Sequence, residues 1–117
     1  MNERFQVQFL KEAVEFIDSL DEKAREKVLY NIHKARLLND NELFKKLKGE
    51  IWEFRTFFNK TYYRLFAFWD KTENTGTVVI ATHGFIKKMA KTPSGEIERA
   101  DKLRRLYFEQ KISGNEK

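Results

Sequence analysis

The stretch IWEFRTFFNKTYYRLFAFW, residues 51–69, decides the fold of this chain. At its start the side chains alternate with a period of two, which is the spacing of a β-strand. Trp52 and Phe54 therefore share one face of this strand, and Glu53 and Arg55 share the other. Because a buried charge needs a partner, the strand carries candidate chemistry as well as core residues.

A second strand follows after a short polar turn. The turn is Asn59-Lys60-Thr61, and residues 62–69 form an aromatic strand in which Arg64 is embedded. The two strands predict a β-hairpin. Residues 77–82 are rich in β-branched side chains and predict a third strand that ends at His83-Gly84-Phe85, so three consecutive antiparallel strands are expected.

Upstream of the hairpin the hydrophobic period changes to that of helices. After a short strand over residues 4–9, apolar residues recur at helical spacing from Leu10 to Leu20. The sequence Ser19-Leu20-Asp21-Glu22 resembles a capping box that begins a second helix, which Asn39-Asp40-Asn41 ends. Two adjacent amphipathic helices predict a helical hairpin whose apolar stripe needs a sheet to cover it.

The remaining segment predicts a C-terminal helix. It begins at Thr92-Pro93, with proline in its first turn, and apolar residues repeat on one face through Tyr107. Residues 113–117 are expected to fray. Since no repeat or linker divides the chain, we predict one α+β domain over residues 1–112.

Composition excludes several classes of protein. The chain has 117 residues, of which 41% are hydrophobic and 15% aromatic, enough apolar material for a folded core. It has no cysteine, which excludes a disulfide framework, a thiolate zinc site and a cysteine nucleophile. Two histidines leave little for a metal site.

The net charge of +5 is unevenly distributed. Residues 1–44 carry seven Lys and Arg against nine Asp and Glu, whereas residues 45–117 carry sixteen against nine. This asymmetry indicates a polyanionic partner, although lysine-rich surfaces also serve solubility. No apolar run approaches the roughly 20 residues that cross a bilayer, so we expect a cytoplasmic protein without a membrane partner.

Two groups of cations are candidates for binding an anion. Arg55 and Arg64 lie nine residues apart across the hairpin turn and either converge on one sheet face or each point to solvent. Lys87, Lys88 and Lys91 follow the third strand without an intervening acid and form either a binding loop or a solvated one. If the groups converge, cations among aromatic rings predict a surface for single-stranded RNA.

Groups for proton transfer are few. His83 is either a general acid or base at the strand end or a structural residue. Glu53 either pairs with a neighbouring arginine or accepts a proton. No Ser-His-Asp set, phosphate-binding glycine loop or metal-ligand spacing is visible, so we expect a mechanism without metal or cofactor.

Several segments resemble a known family in their order and spacing. They are LKGEIWEFR at 47–55, YRLF at 63–66, HGFIKK at 83–88, KTP at 91–93 and EIERA at 96–100. Together they resemble the phage-derived, HigB-like branch of the RelE/ParE toxin superfamily. The resemblance implies a RelE-like fold, in which an N-terminal helical hairpin packs on a twisted, mainly antiparallel sheet with a C-terminal helix.

The same resemblance implies a function. It implies the toxin of a type II toxin–antitoxin system, an mRNA interferase that cuts message in the ribosomal A site. Cleavage is metal-independent, through the ribose 2′-hydroxyl, and leaves a 2′,3′-cyclic phosphate. A helix-turn-helix antitoxin neutralises such a toxin, and operator DNA is bound only through the toxin–antitoxin complex.

The resemblance also implies roles for Arg55 and Arg64 on the strands and for Lys87 and Lys88 after the last strand, and the other site residues are expected from their own chemistry. The catalytic residues are expected to be Glu53, Arg55, Arg64, His83, Lys87 and Lys88, and the RNA-binding residues Lys48, Tyr63 and Lys91. Arg64 is the first choice for stabilising phosphate, because its guanidinium fork matches two phosphate oxygens. The general base is open between His83, Glu53 and a lysine with a lowered pKa.

Two other functions are compatible with the sequence. ParE-type members of the superfamily inhibit DNA gyrase by binding and are not enzymes. A catalytically inactive module that binds RNA or the ribosome is the third possibility.

Overall fold

The computed structural model describes residues 3–72, 77–87 and 92–115. In these residues a mixed sheet of five strands is combined with three helices, which confirms the α+β class and the C-terminal helix. A strand precedes the helical hairpin, which is therefore not the first element of the chain. The elements are β1 (Gln6–Phe9), α1 (Lys11–Ser19), α2 (Glu22–Leu37), β2 (Phe44–Lys48), β3 (Ile51–Phe58), β4 (Thr61–Asp70), β5 (Val78–Lys87) and α3 (Ser94–Asn115).

The sheet has the strand order β1-β5-β4-β3-β2. The predicted run of three antiparallel strands is confirmed as β3, β4 and β5, whereas β1 pairs with β5 in parallel. Strand β2 was not expected, because a register shift between Lys46 and Lys48 breaks its period of two. Lysine-rich short strands of this kind are common at sheet edges, where charge discourages further pairing.

The predicted turn between β3 and β4 is confirmed. Asn59 and Lys60 have φ angles of 51° and 60°, the left-handed conformation that a two-residue hairpin turn requires. This turn fixes the register so that Arg55 pairs directly with Arg64.

The predicted capping box is wrong. Asp21, not Ser19, caps α2, since its carboxylate accepts a hydrogen bond from the backbone amide of Ala24 at 3.0 Å. Ser19 belongs to the last turn of α1, where its hydroxyl donates to the carbonyl of Phe16 at 2.7 Å. The two helices are therefore separated by two extended residues, Leu20 and Asp21.

Helices cover both faces of the sheet. On one face, buried side chains of α1 and α2 pack with Phe54 and Leu65. On the other, Ala100 of α3 packs with Phe66 and Phe68. Among the charged residues of β3 and β4 on this second face, Glu53 and Arg64 are buried, and Arg55 is partly exposed. Of the three helices in the described part of the chain, none combines the length and the apolar character that crossing a bilayer requires.

The buried carboxylate of Asp70 connects α3 to the sheet through hydrogen bonds. Asp70, at the end of β4, accepts hydrogen bonds from the Tyr107 hydroxyl at 2.5 Å and from Lys111 Nζ at 2.8 Å. Burial alone would raise the pKa of Asp70, but the hydrogen bonds from Lys111, Thr72 and Tyr107 hold it well below its usual range. These bonds hold the helix in place along the sheet.

Strand β5 extends beyond the predicted end at residues 83–85 and reaches Lys87. A register shift against β4, beside Phe66, changes which residues of β5 face α3. Ile80 packs under α3 before the shift, and Phe85 does so after it. Gly84 then faces the helical hairpin, where it lies against the ring of Phe16.

We expect Gly84→Ala to destabilise the fold, because a methyl group at this position would overlap the Phe16 ring. Overpacking of a core typically costs about 1–3 kcal/mol. Urea unfolding followed by circular dichroism would measure the difference. Gly95→Ala is the matched control, since no atom lies within 4 Å of the added methyl; equal stability of both variants would contradict the close contact at Gly84.

Candidate active site

Strand register arranges the α3 face of the sheet in rows that run across β3, β4 and β5. The rows follow from the paired residues, and alternation along each strand keeps every member on the same face. The first row holds Phe57, Tyr62 and Lys87; the second holds Arg55, Arg64 and Phe85; the third holds Glu53 and Phe66.

Glu53 lies at the centre of a buried group of charges. Its Oε1 is 3.4 Å from Nε of Arg64, and its Oε2 is 3.6 Å from Nε of Arg55. Glu53 and Arg64 are only 3% and 2% exposed. The structure thus brings both arginines together around one carboxylate.

Lys87 joins this group through a hydroxyl. Its Nζ donates to Oγ1 of Thr92 at 2.7 Å, and the Thr92 hydroxyl donates to Oε1 of Glu53 at 3.2 Å. Thr92 comes just before α3, and the sequence indicates only a helix start there. We call Glu53, Arg55, Arg64, Lys87 and Thr92 the Glu53 cluster.

The Glu53 cluster holds more positive than negative charge. Three cations face one carboxylate, and Nε of Arg55 and Nε of Arg64 are buried without a hydrogen-bond partner among the described residues. Buried donors of this kind favour an incoming anion, because an anion satisfies them and offsets the excess charge. The cluster is therefore suited to bind phosphate.

Burial and neighbouring charges shift two pKa values in the cluster. Burial lowers the pKa of Lys87 to about 8, with Arg64 and Arg55 also lowering it and Glu53 opposing them. Burial likewise lowers the pKa of Arg64, against the opposing charge of Glu53. Lys87 is therefore a lysine with a lowered pKa, and it stays a candidate for proton transfer.

His83 lies behind the cluster in the core. It is 1% exposed, and its ring packs against that of Phe66 with centroids 4.9 Å apart. Burial, with the charge of Arg99, lowers the pKa of His83 to about 4. The ring is therefore neutral at pH 7, and its Nε2, 3.7 Å from Glu96, does not form an ion pair there.

Of the other predicted site residues that the structure describes, Tyr63 and Lys48 do not join the cluster. Tyr63 is buried on the face that the helical hairpin covers, because odd-numbered residues of β4 point there. Tyr62 is the tyrosine beside the cluster, with Cζ of Arg64 5.1 Å from its ring centroid. Lys48 lines a separate cavity of about 570 Å³ between β2 and α3. Lys88 and Lys91 lie outside the described residues.

Acidic and imidazole groups are too dispersed for a metal site in residues 3–72, 77–87 and 92–115. Within these ranges no three His, Cys, Asp or Glu side chains are grouped so that they could hold a metal ion.

Fold and site define a small α+β protein with an anion-attracting cluster on its sheet. The family model described as phage derived protein Gp49-like (DUF891) matches residues 15–105, and the chain belongs to this family. The family is part of the RelE/HigB-like toxin group, which confirms the predicted family at that level. No curated protein matches the sequence.

Replacing the central carboxylate tests the electrostatics of the cluster. We expect Glu53→Gln to lower the free energy of unfolding by about 3–5 kcal/mol, because it leaves buried cations uncompensated. Inorganic phosphate should then raise the melting temperature of this variant more than that of the wild type, since it takes the place of the carboxylate.

Glu98→Gln is the control, because Glu98 is exposed on α3. Glu53→Gln with the stability of this control, or with no added response to phosphate, would contradict the proposed charge balance.

Proposed function

We propose that this protein is the toxin of a type II toxin–antitoxin pair and an endoribonuclease that cuts mRNA in the ribosomal A site. The observation that carries the proposal is the convergence of Arg55, Arg64 and Lys87 around Glu53 on one sheet face. Membership of a family in the RelE/HigB-like toxin group supports it. The helical hairpin, sheet and C-terminal helix support a RelE-like fold.

The proposed reaction is a transesterification within the RNA. The 2′-oxygen attacks the adjacent phosphorus, the bond from phosphorus to the 5′-oxygen breaks, and a 2′,3′-cyclic phosphate and a 5′-hydroxyl result. One proton leaves the 2′-hydroxyl, and another reaches the departing 5′-oxygen. Negative charge builds up on the phosphorane between these steps, and fixed cations lower its energy.

The arginines are suited to stabilise the phosphorane. Arg64 lies on β4, between β3 and β5, and its guanidinium lies over the ring of Tyr62. Its side chain therefore needs little reorganisation when the transition state forms. Arg55 lies opposite it and shares the carboxylate of Glu53. Two guanidinium groups fixed around one position match the charge and the geometry of a pentacoordinate phosphate.

Lys87 and Glu53 are the proposed proton-transfer groups. A lysine with a pKa of about 8 is still mainly protonated at pH 7 and gives up its proton readily, so it donates to the 5′-oxygen. Glu53 accepts the proton of the 2′-hydroxyl, and Thr92 connects the two groups. His83 has no role in this scheme, because its ring packs against Phe66 and its Nε2 faces Glu96 instead of the Glu53 cluster.

The remaining predicted residues and partners extend the proposal. Lys48, Lys88 and Lys91 hold phosphates that flank the cut, and they increase the salt dependence of binding. A helix-turn-helix antitoxin neutralises the toxin by covering its basic surface, in the cytoplasm, and operator DNA is bound through that complex.

We expect Arg64→Ala to reduce cleavage of translated message by about 100- to 1,000-fold, the usual cost of losing one stabilising donor. Primer extension on message from a translating extract with purified protein measures the cuts. Arg105→Ala is the matched control, since Arg105 is 72% exposed on α3 and pairs only with Asp101 among the described residues.

Discrete cuts that persist in Arg64→Ala would show that the site is elsewhere. Intact message together with impaired DNA supercoiling by the wild type would favour the gyrase-binding alternative.

We expect the cleavage rate to fall as pH rises through about 8, because the proton that Lys87 donates is then lost. Lys87→Arg keeps a cation to higher pH, so its rate is lower at pH 7 and the alkaline fall moves upward. Single-turnover rates across this pH range provide the measurement. An alkaline fall at the same pH in Lys87→Arg would assign it to another group.

A further inference from the structure

Two aromatic rings at the end of the β3–β4 hairpin lie outside the buried apolar core. Phe57 and Tyr62 are paired across the strands, with ring centroids 4.7 Å apart and planes at 40°. Phe57 is 57% exposed, although it lies on the face that α3 covers further along the sheet. Neither ring belongs to the apolar cluster beneath α3. We call these residues the aromatic pair.

The aromatic pair is next to the Glu53 cluster. Tyr62 is paired with Lys87 across β4 and β5, and the guanidinium of Arg64 lies over its ring. The row of Arg55 and Arg64 is two residues away along the strands, which is about 6.6 Å. A phosphate bound by the arginines therefore has an exposed aromatic face one row away.

We propose that the aromatic pair is a stacking subsite for an unpaired RNA base next to the phosphate held by Arg55 and Arg64. This inference rests on the proposed function and deepens it by naming where one nucleotide lies. Aromatic side chains with cations beside them bind single-stranded nucleic acid in this way, because the rings stack on bases while the cations contact phosphates.

The geometry of the hairpin suits a stacking surface. The tight turn at Asn59 and Lys60 holds Phe57 opposite Tyr62, so the rings are placed before RNA arrives. Aromatic side chains lose little conformational entropy on binding. Because stacking accepts any base and strengthens with ring size, we expect a modest preference for purines.

Exposed phenylalanine alone is common on protein surfaces and needs no ligand. Tyr30 provides the comparison, since it is 55% exposed on α2 and has Lys27 and Lys34 near its ring. It has a similar local composition but lies on a helix of the opposite layer. Tyr30→Leu is therefore the matched control for Phe57→Leu.

The test uses a short single-stranded oligoribonucleotide with 2′-O-methyl groups, which block cleavage, and one 2-aminopurine base. Fluorescence quenching reports stacking, and anisotropy of an end label reports binding. We expect wild type and Tyr30→Leu to quench the base. Phe57→Leu should lose the quenching and bind roughly 5- to 150-fold more weakly, the range for losing one stacked base, and Phe57→Tyr should restore both.

Quenching and affinity in Phe57→Leu equal to those of the wild type would overturn the subsite. Absence of RNA binding by the wild type would overturn it too. So would a Phe57→Leu variant that loses affinity for the antitoxin but keeps both the quenching and the affinity for RNA. The proposed function fails separately, if the wild type leaves translated message intact while Phe57-dependent quenching is present. Message cut equally by wild type and Phe57→Leu, with unchanged quenching, removes the subsite and leaves the function standing.

Discussion

The carboxylate of Glu53 allows two arginines, one of them fully buried, to lie side by side on one face of the sheet. Without it, the desolvation of Arg64, which is 2% exposed, would be uncompensated. The ion pairs with Glu53 make it possible to bury the arginines in the folded protein. One carboxylate does not balance three cations, however, so the cluster still attracts an anion. Burial, together with the arginine charges, lowers the pKa of Lys87 to about 8 and makes this lysine useful for proton transfer.

Strand geometry places these charges together. The tight turn at Asn59 and Lys60 aligns Arg55 with Arg64, and the register shift in β5 lets Phe85 and Lys87 face the same side. The hydrogen bond from Thr92 to Glu53 then connects the start of α3 to the cluster. The same strand registers thus determine both the core packing and the position of the candidate site, which lies near the start of α3.

Local sequence patterns predicted the elements with regular periods and missed those that depend on irregular pairing. Alternation located β3 and β4, and helical spacing located both helices of the hairpin. The bulges hid β2 and the end of β5, because one extra residue shifts the alternation. Because side chains alternate along β4, Tyr62 shares the sheet face of Arg64, whereas Tyr63 points to the opposite face. Thr92 could not be predicted as a cluster member, since its partner Glu53 is 39 residues away.

The most direct test of the central claim is the identity of the nucleophile. A message with a single 2′-deoxynucleotide on the 5′ side of a mapped cut would be translated in the presence of the protein. The account predicts that this cut disappears while cuts at other positions continue, because the attacking oxygen is absent. Cleavage at the deoxy position with unchanged rate would contradict the account, since another nucleophile would then attack the phosphate.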